Sequence, residues 1–256
     1  MSDEATILTE RRGHVLLITL NRPEAMNSVN MDLAKNLAVA LDELDGDSDL
    51  RVGVLTGNGR GFSAGMDLKA FVSGGMPIVE GRGFAGITQR AADKPLIAAV
   101  EGFALAGGLE IALSCDLIVA SEGAKLGVPE VGVGLFAGAG ALLRLPKVLP
   151  YAKAMEMALT GKPITAQEAN ELGMVARVTA KGEALAAAME LAETIAKNAP
   201  LGVAASKRII RDMSMLAPEE FWEAQNQLMG KIFVSKDAIE GATAFAEKRD
   251  PNWTGQ

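Results

Sequence analysis

Short apolar runs alternate with stretches of helical spacing through the first two thirds of this chain. Residues 15–20, 52–56, 96–100 and 117–120 are short, rich in Val, Ile and Leu, and bounded by Gly, Asn, Asp or Pro, which predicts strands. Their near-continuous apolar character predicts that both faces are covered. Residues 30–44 carry Leu33, Leu37, Val39, Leu41 and Leu44 at roughly helical intervals, and residues 107–113 place Leu109, Ala112 and Leu113 on one side of a second helix. No strand pattern recurs after about Val178. Residues 184–197, 202–213, 218–233 and 237–248 instead read as amphipathic helices with stripes of Leu, Ile, Met and Phe. The pattern predicts an α/β core over 1–195 and a helical region over 196–256. Residues 73–83, SGGMPIVEGRG, read as a flexible surface loop.

Composition narrows the chemistry. The chain has 256 residues, 49% hydrophobic and only 4% aromatic, and such small and branched residues suit close strand–helix packing. Net charge is −7 with no block of Lys and Arg, so nucleic acid is not an expected partner. A single cysteine, Cys115, leaves no intramolecular disulfide to form, in keeping with a reducing compartment. The acidic start MSDEATILTE lacks the basic and apolar regions of a secretory signal. No apolar run is long enough for a membrane span. A cytoplasmic protein is expected. The one histidine, His14, heads a strand; a zinc site built on several histidines is ruled out, and His14 reads as structural.

Three glycine-rich segments follow strands or turns: GFSAGMDL (61–68), GFALAGGLE (102–110) and LGVPEVGVGLFAGAG (126–140). None fits a phosphate loop, because no Gly-Lys-Ser/Thr follows. Gly132, Gly134 and Gly138 mimic a dinucleotide fingerprint with the third glycine one place late. One reading gives these glycines only tight turns and close packing. The sharper one starts from Gly107 and Gly108, which open a helix whose first N–H groups lack intrahelical partners and favour negative charge. A carbonyl oxygen gaining charge would be stabilised there. Glu110 lies about one turn on, between Leu109 and Ile111, where a carboxylate needs a reason; Glu130 follows Pro129 at another loop-to-helix transition.

Together, NRPEAMN (21–27), GFSAGMDL, GFALAGGLEIALSCD, GVPEVGVG, LTG (159–161) and SKDAIEGATAFAEKR (235–249) resemble the enoyl-CoA hydratase/isomerase family, the crotonases, over nearly the whole chain. The resemblance implies an α/β crotonase-like spiral of ββα units with a C-terminal helical trimerisation region. It implies an oxyanion hole from the backbone N–H groups of Met66 and Gly107, and Glu110 and Glu130 as the catalytic pair. Having both glutamates favours a hydratase, a hydro-lyase adding water to the 2,3-double bond of an enoyl-CoA as in fatty-acid metabolism. A double-bond isomerase and a non-catalytic acyl-CoA binder of the same fold are the alternatives. Substrate contacts implied are Ala25, Ala64, Met66, Asp67, Leu68, Lys69, Gly107, Phe136, Phe245 and Lys248, with Arg22, Lys69 and Lys248 toward the coenzyme A phosphates. Phe245 and Lys248 would reach a neighbouring subunit's nucleotide in a homotrimer or hexamer. No cofactor and no metal are expected. Two departures stand out: Phe136–Ala141 reads FAGAGA where many hydratases carry Pro-Gly-Ala-Gly-Gly, and Met66 stands where alanine is commoner, though only its N–H is needed.

Overall fold

The computed structural model describes residues 5–213 and 215–256. The start Met1–Glu4, part of the segment read for a leader, lies outside the described residues. Along the chain run β1 (Ile7–Arg12), β2 (Val15–Leu20), α1 (Met31–Gly46), β3 (Val52–Gly57), α2 (Leu68–Val72), β4 (Ile78–Val79), β5 (Gly83–Phe84) and β6 (Leu96–Val100). Then come β7 (Phe103–Leu105), α3 (Gly107–Ala112), β8 (Leu117–Ser121), β9 (Lys125–Gly127), α4 (Ala141–Val148), α5 (Tyr151–Thr160), β10 (Ile164–Thr165), α6 (Ala166–Glu171) and β11 (Arg177–Thr179). The helices α7 (Ala184–Ala196), α8 (Pro200–Arg208), α9 (Pro218–Ile232) and α10 (Lys236–Glu247) complete it.

The main sheet has the order β1-β2-β3-β6-β8-β11, antiparallel at β1–β2 and parallel elsewhere. A second sheet, β10-β9-β7, stands beside it. Side chains alternate across a strand, and both faces here are apolar. Val15, Leu17, Val52, Val54, Ile97, Ala99 and Val119 pack with Ala188, Met189 and Ala192 of α7. Leu16, Ile18, Leu20, Leu55, Ala98 and Ile118 pack with Leu33, Leu37, Leu41 and Leu44 of α1 and with Leu109 and Ile111 of α3. That two-sided burial is what the unbroken apolar runs anticipated.

Helix α1 begins where Asn30 accepts the Leu33 N–H at 2.9 Å, satisfying an otherwise orphaned donor. Two expectations need correction. Val39, placed on the apolar stripe, is 65% exposed; it lies two residues from both Leu37 and Leu41, and positions so spaced do not share a helix face. Residues 73–83 are not merely a loop, because β4 and β5 form an antiparallel pair there and Arg82 is buried. The edge strand β1 escaped the pattern because its residues after Ile7 are exposed and polar enough to hide the period. Lys207 of α8 reaches the core with its ammonium on Ala92 O, Lys94 O and the Asp116 carboxylate at 2.6–2.8 Å. Helix α9 buries no side chain within this chain. Among the described residues no helix is long and apolar enough to cross a membrane.

Candidate active site

The site is assembled by loops that leave the carboxyl ends of the central strands. Asn27, fully buried and left-handed at φ 52°, accepts from Arg22 N and donates to Asn58 O and Gly61 O. Its own carbonyl accepts from the Ser63 hydroxyl, which in turn accepts from Gly65 N. The motifs NRPEAMN and GFSAGMDL are therefore one hydrogen-bonded unit. Val29 N donates to Gly65 O and Asp67 N donates to Val29 O. With the Gly65 carbonyl turned toward Val29, a trans peptide turns the Met66 N–H the opposite way.

The second donor comes from β7 and α3. Gly65 and Gly107 approach so closely that a Cβ on Gly65 would lie 2.8 Å from Gly107 N, and a Cβ on Gly107 would strike Phe84 at 2.6 Å. Gly65 also holds φ 93°, so only glycine fits there, and a Cβ on Gly107 would force the Phe84 ring aside. Ala106, just before, holds φ 52° and ψ −130°, a region that is essentially glycine's and costs about 1–3 kcal/mol. Its N–H is tied to Gly127 O. The strain turns the chain sharply into α3 and exposes Gly107 N at its first turn, where no intrahelical acceptor exists.

Met66, Gly107, Glu110 and Glu130 line one cavity of about 890 Å³. Ala64, Leu68, Phe71, Met76, Ile78, Phe84, Leu135 and Leu143 give it a largely apolar wall. Glu110 is 3% exposed, and its Oε1 accepts from Ala139 N at 2.7 Å and Ala141 N at 3.1 Å. Those amides lie in the FAGAGA segment, so its contact with Glu110 is made by backbone and not by side chains. Because α4 has no side-chain cap of its own, the Glu110 carboxylate fills that place. Burial pushes its pKa up, against the pull of the two amides and of Arg144.

Glu130 sits in a single 3₁₀ turn, Pro129–Val133. Its Oε2 is buried without a hydrogen-bond partner. Burial raises its pKa to about 6, with the Glu110 charge adding to the rise. Two carboxyl groups with raised proton affinity, in one apolar cavity beside two backbone donors, can hold a water and pass a proton to carbon.

Of the residues singled out from sequence, Ala64, Met66, Leu68, Gly107, Glu110, Glu130 and Phe136 meet on the cavity wall. Arg22 and Asp67 are bound to each other at 3.1 Å, and Asp67 also caps α2 through Lys69 N and Ala70 N. Ala25 lies in the turn before Met26, Lys69 is exposed on α2, and Phe245 and Lys248 end α10; none of these lines the cavity in the single chain. Arg144, Thr88 and Gln89 also line it and escaped sequence reasoning, since nothing in their local pattern ties them to the glutamates. His14 hydrogen-bonds Asp49 O at 2.6 Å at the β1–β2 turn, a structural place. Cys115 is buried, with burial pushing its thiol pKa up. Among the described residues no three His, Cys, Asp or Glu gather as metal ligands.

Comparison with known proteins agrees with this architecture. The sequence profile described as Enoyl-CoA hydratase/isomerase matches residues 10–256. Enoyl-CoA hydratase EchA19 of Mycobacterium tuberculosis is 44% identical over 253 residues, 96% of this chain and 95% of that protein. Carnitinyl-CoA dehydratase of Salmonella enteritidis PT4 is 42% identical over 254 residues, 96% of this chain and 97% of that protein. The crystal structure of an enoyl-CoA hydratase from Mycobacterium tuberculosis H37Rv superposes with a TM-score of 0.97 at 53% identity, covering 99% of this chain and 100% of that one. With its crotonase-fold spiral, the chain belongs to the enoyl-CoA hydratase/isomerase family.

Proposed function

We propose that this protein is an enoyl-CoA hydratase that reversibly adds water across the 2,3-double bond of an acyl-CoA thioester. The observation that carries the reading is the pairing of Glu110 and Glu130 in one apolar cavity with Met66 and Gly107. The thioester oxygen sits between Met66 N and Gly107 N, where charge developing as an enolate is stabilised by fixed donors. Glu110, anchored through Oε1, keeps its other oxygen for the water that attacks C3. Glu130, whose pKa is raised to about 6, delivers a proton to C2. The water's hydroxyl bonds to C3 and its released proton returns to the glutamate pair, so the pair ends as it began. No metal or redox cofactor takes part in this scheme.

Lys69 and Lys248 are the cations we assign to the coenzyme A phosphates; Arg22 is committed to Asp67. The apolar wall favours an unsubstituted hydrocarbon acyl group. We place residues 196–256 at the contacts of a homotrimer or hexamer, a reading supported by the exposure of Trp222, Phe233 and Phe245, the last at 88%. In that assembly Phe245 and Lys248 serve a neighbouring subunit's nucleotide. A cytoplasmic location and a role in fatty-acid metabolism go with this reading. The carnitinyl-CoA dehydratase among the relatives favours a second version, in which a hydroxyacyl-CoA is dehydrated by the same residues in reverse. Purified protein with crotonyl-CoA decides between hydro-lyase chemistry in either direction and the rivals. Loss of conjugated-enoyl absorbance with formation of 3-hydroxybutyryl-CoA is expected. A shifted double bond without hydration would make it an isomerase, and binding without turnover would leave a binder.

A further inference from the structure

The amides that hold Glu110 belong to a loop that is itself strapped down. Ala139 N and Ala141 N both reach Glu110 Oε1, and Gly140 between them adopts φ 107°. One turn further, Arg144 donates its backbone N–H to Gly140 O at 3.2 Å and folds its guanidinium back over the loop. The approach is close enough that a Cβ on Gly140 would lie 2.2 Å from Arg144 Nη1. Nη2 crosses to the segment after β5 and donates to Thr88 O at 2.6 Å. Both Thr88 and Arg144 line the cavity. Glycine at 140 is thus required by its φ, and its lack of a side chain leaves room for the guanidinium to lie on it.

We propose that Arg144 is a positioning residue of the reaction, whose guanidinium straps the Ala139–Ala141 loop to Thr88 and so fixes the Glu110 carboxylate for catalysis. The assignment of a catalytic task to Glu110 rests on the hydratase reading. The charged and titratable groups facing Arg144 are Glu110, Arg211 and the Cys115 thiol, and those facing Glu110 are Arg144 and Glu130. Arg144 and the two amides all oppose the upward push of burial on the Glu110 pKa. Releasing the strap removes the cation and loosens both amides, so less opposes desolvation. Glu110 then holds its proton to higher pH than in the wild type. Lysine supplies the charge without the planar fork that reaches two places at once.

The test is a titration of the Glu110 carboxyl by ¹³C NMR in wild type, Arg144→Met and Arg144→Lys, with kcat and KM measured on the same proteins. The Met variant is expected to move the Glu110 titration to higher pH. Its kcat should fall about tenfold or more, a fraction of the about 10²–10⁴-fold usually lost with an acid–base group, with KM nearly unchanged. The Lys variant should recover most of the titration and part of kcat. Arg144→Gln, which removes the cation but keeps a donor that can turn toward Thr88 O, should fall between wild type and the Met variant in kcat, and it serves with Arg144→Lys if the Met variant does not fold. An unmoved titration with unchanged kcat would overturn the proposal, as would a higher KM at full kcat, which would make Arg144 a substrate contact. Because the titration needs no substrate, a wild type that hydrates nothing would sink the hydratase reading while the strap was still decided.

Discussion

At the residue scale, the site is a set of polar groups placed where they cost stability. Glu130 shows this best, with a buried oxygen that has no partner and a pKa raised from 4.5 to about 6. In the folded state its ionisation is disfavoured, so between about pH 4.5 and 6 the native protein binds more protons than the unfolded chain. Stability therefore falls as pH rises through that window and stays lower above it. Glu130→Gln has no such dependence. The variant should melt higher than wild type at pH 7–8, with its advantage shrinking as pH falls toward 4.5. Thermal melts of both proteins across pH check this; a constant difference at all pH values would contradict it. Asn27 has the opposite character. It makes three side-chain hydrogen bonds from a fully buried place, each worth about 0.5–1.5 kcal/mol net. Asn27→Ala should cost about 2–3 kcal/mol in urea unfolding, and it should lower turnover too, since Asn27 carries the loop that aims Met66 N.

At the element scale, strands fix the donors and short turns aim them. β7 and α3 meet at the strained Ala106, so the first residue of a six-residue helix, Gly107, lies on the cavity wall. The same logic makes α4 depend on Glu110 for its cap. Helix α8 is tied differently: Lys207 is 8% exposed at its side chain and pairs with Asp116 while also bonding two carbonyls. Asp116 is open to solvent, so the ion pair itself adds little, and the ammonium's hydrogen bonds carry the tie at about 1.5–3 kcal/mol for a charged donor. Lys207→Met should lower unfolding stability by about 1.5–2 kcal/mol on that basis, and a loss below about 0.5 kcal/mol, the range of ordinary surface substitutions, would show that α8 is held by other contacts. The long apolar elements were legible in sequence because their periods are regular. β1 was not, since an edge strand with one buried residue carries almost no period. β4, β5, β7, β9 and β10 span only two or three residues each, too few for a pattern to form.

At the scale of the whole molecule, Glu110, Glu130, Met66 and Gly107 could be picked out because they sit inside contiguous motifs, and the fold brings the four onto one cavity wall. Arg144 and Thr88 were not, because their link runs across 56 residues of chain and exists only once the loop folds over Glu110. The C-terminal stripes were legible as helices, yet much of their apolar surface lies open in the single chain, including Trp222, Met229, Phe233 and Ile239. Such patches mark protein contacts. Light scattering at micromolar concentration should give a trimer or hexamer, and a stable active monomer would contradict the intersubunit role of Phe245 and Lys248. Activity should also survive exhaustive chelation, because water is activated by carboxylates in this account; loss on chelation, restored by a metal, would overturn it.

The central claim is that Glu110 and Glu130 act together on one water. The measurement is hydration of crotonyl-CoA by wild type, Glu110→Gln, Glu130→Gln and the double variant, followed as loss of enoyl absorbance. Glutamine keeps the shape and removes the ability to exchange a proton. Each single change should lower kcat by at least about 10²-fold, within the span typical of acid–base groups, with acyl-CoA affinity little altered. Because the two groups serve one step, the double variant should lose far less than the product of the single losses. Full turnover in either single variant, or losses that multiply in the double, would contradict the account.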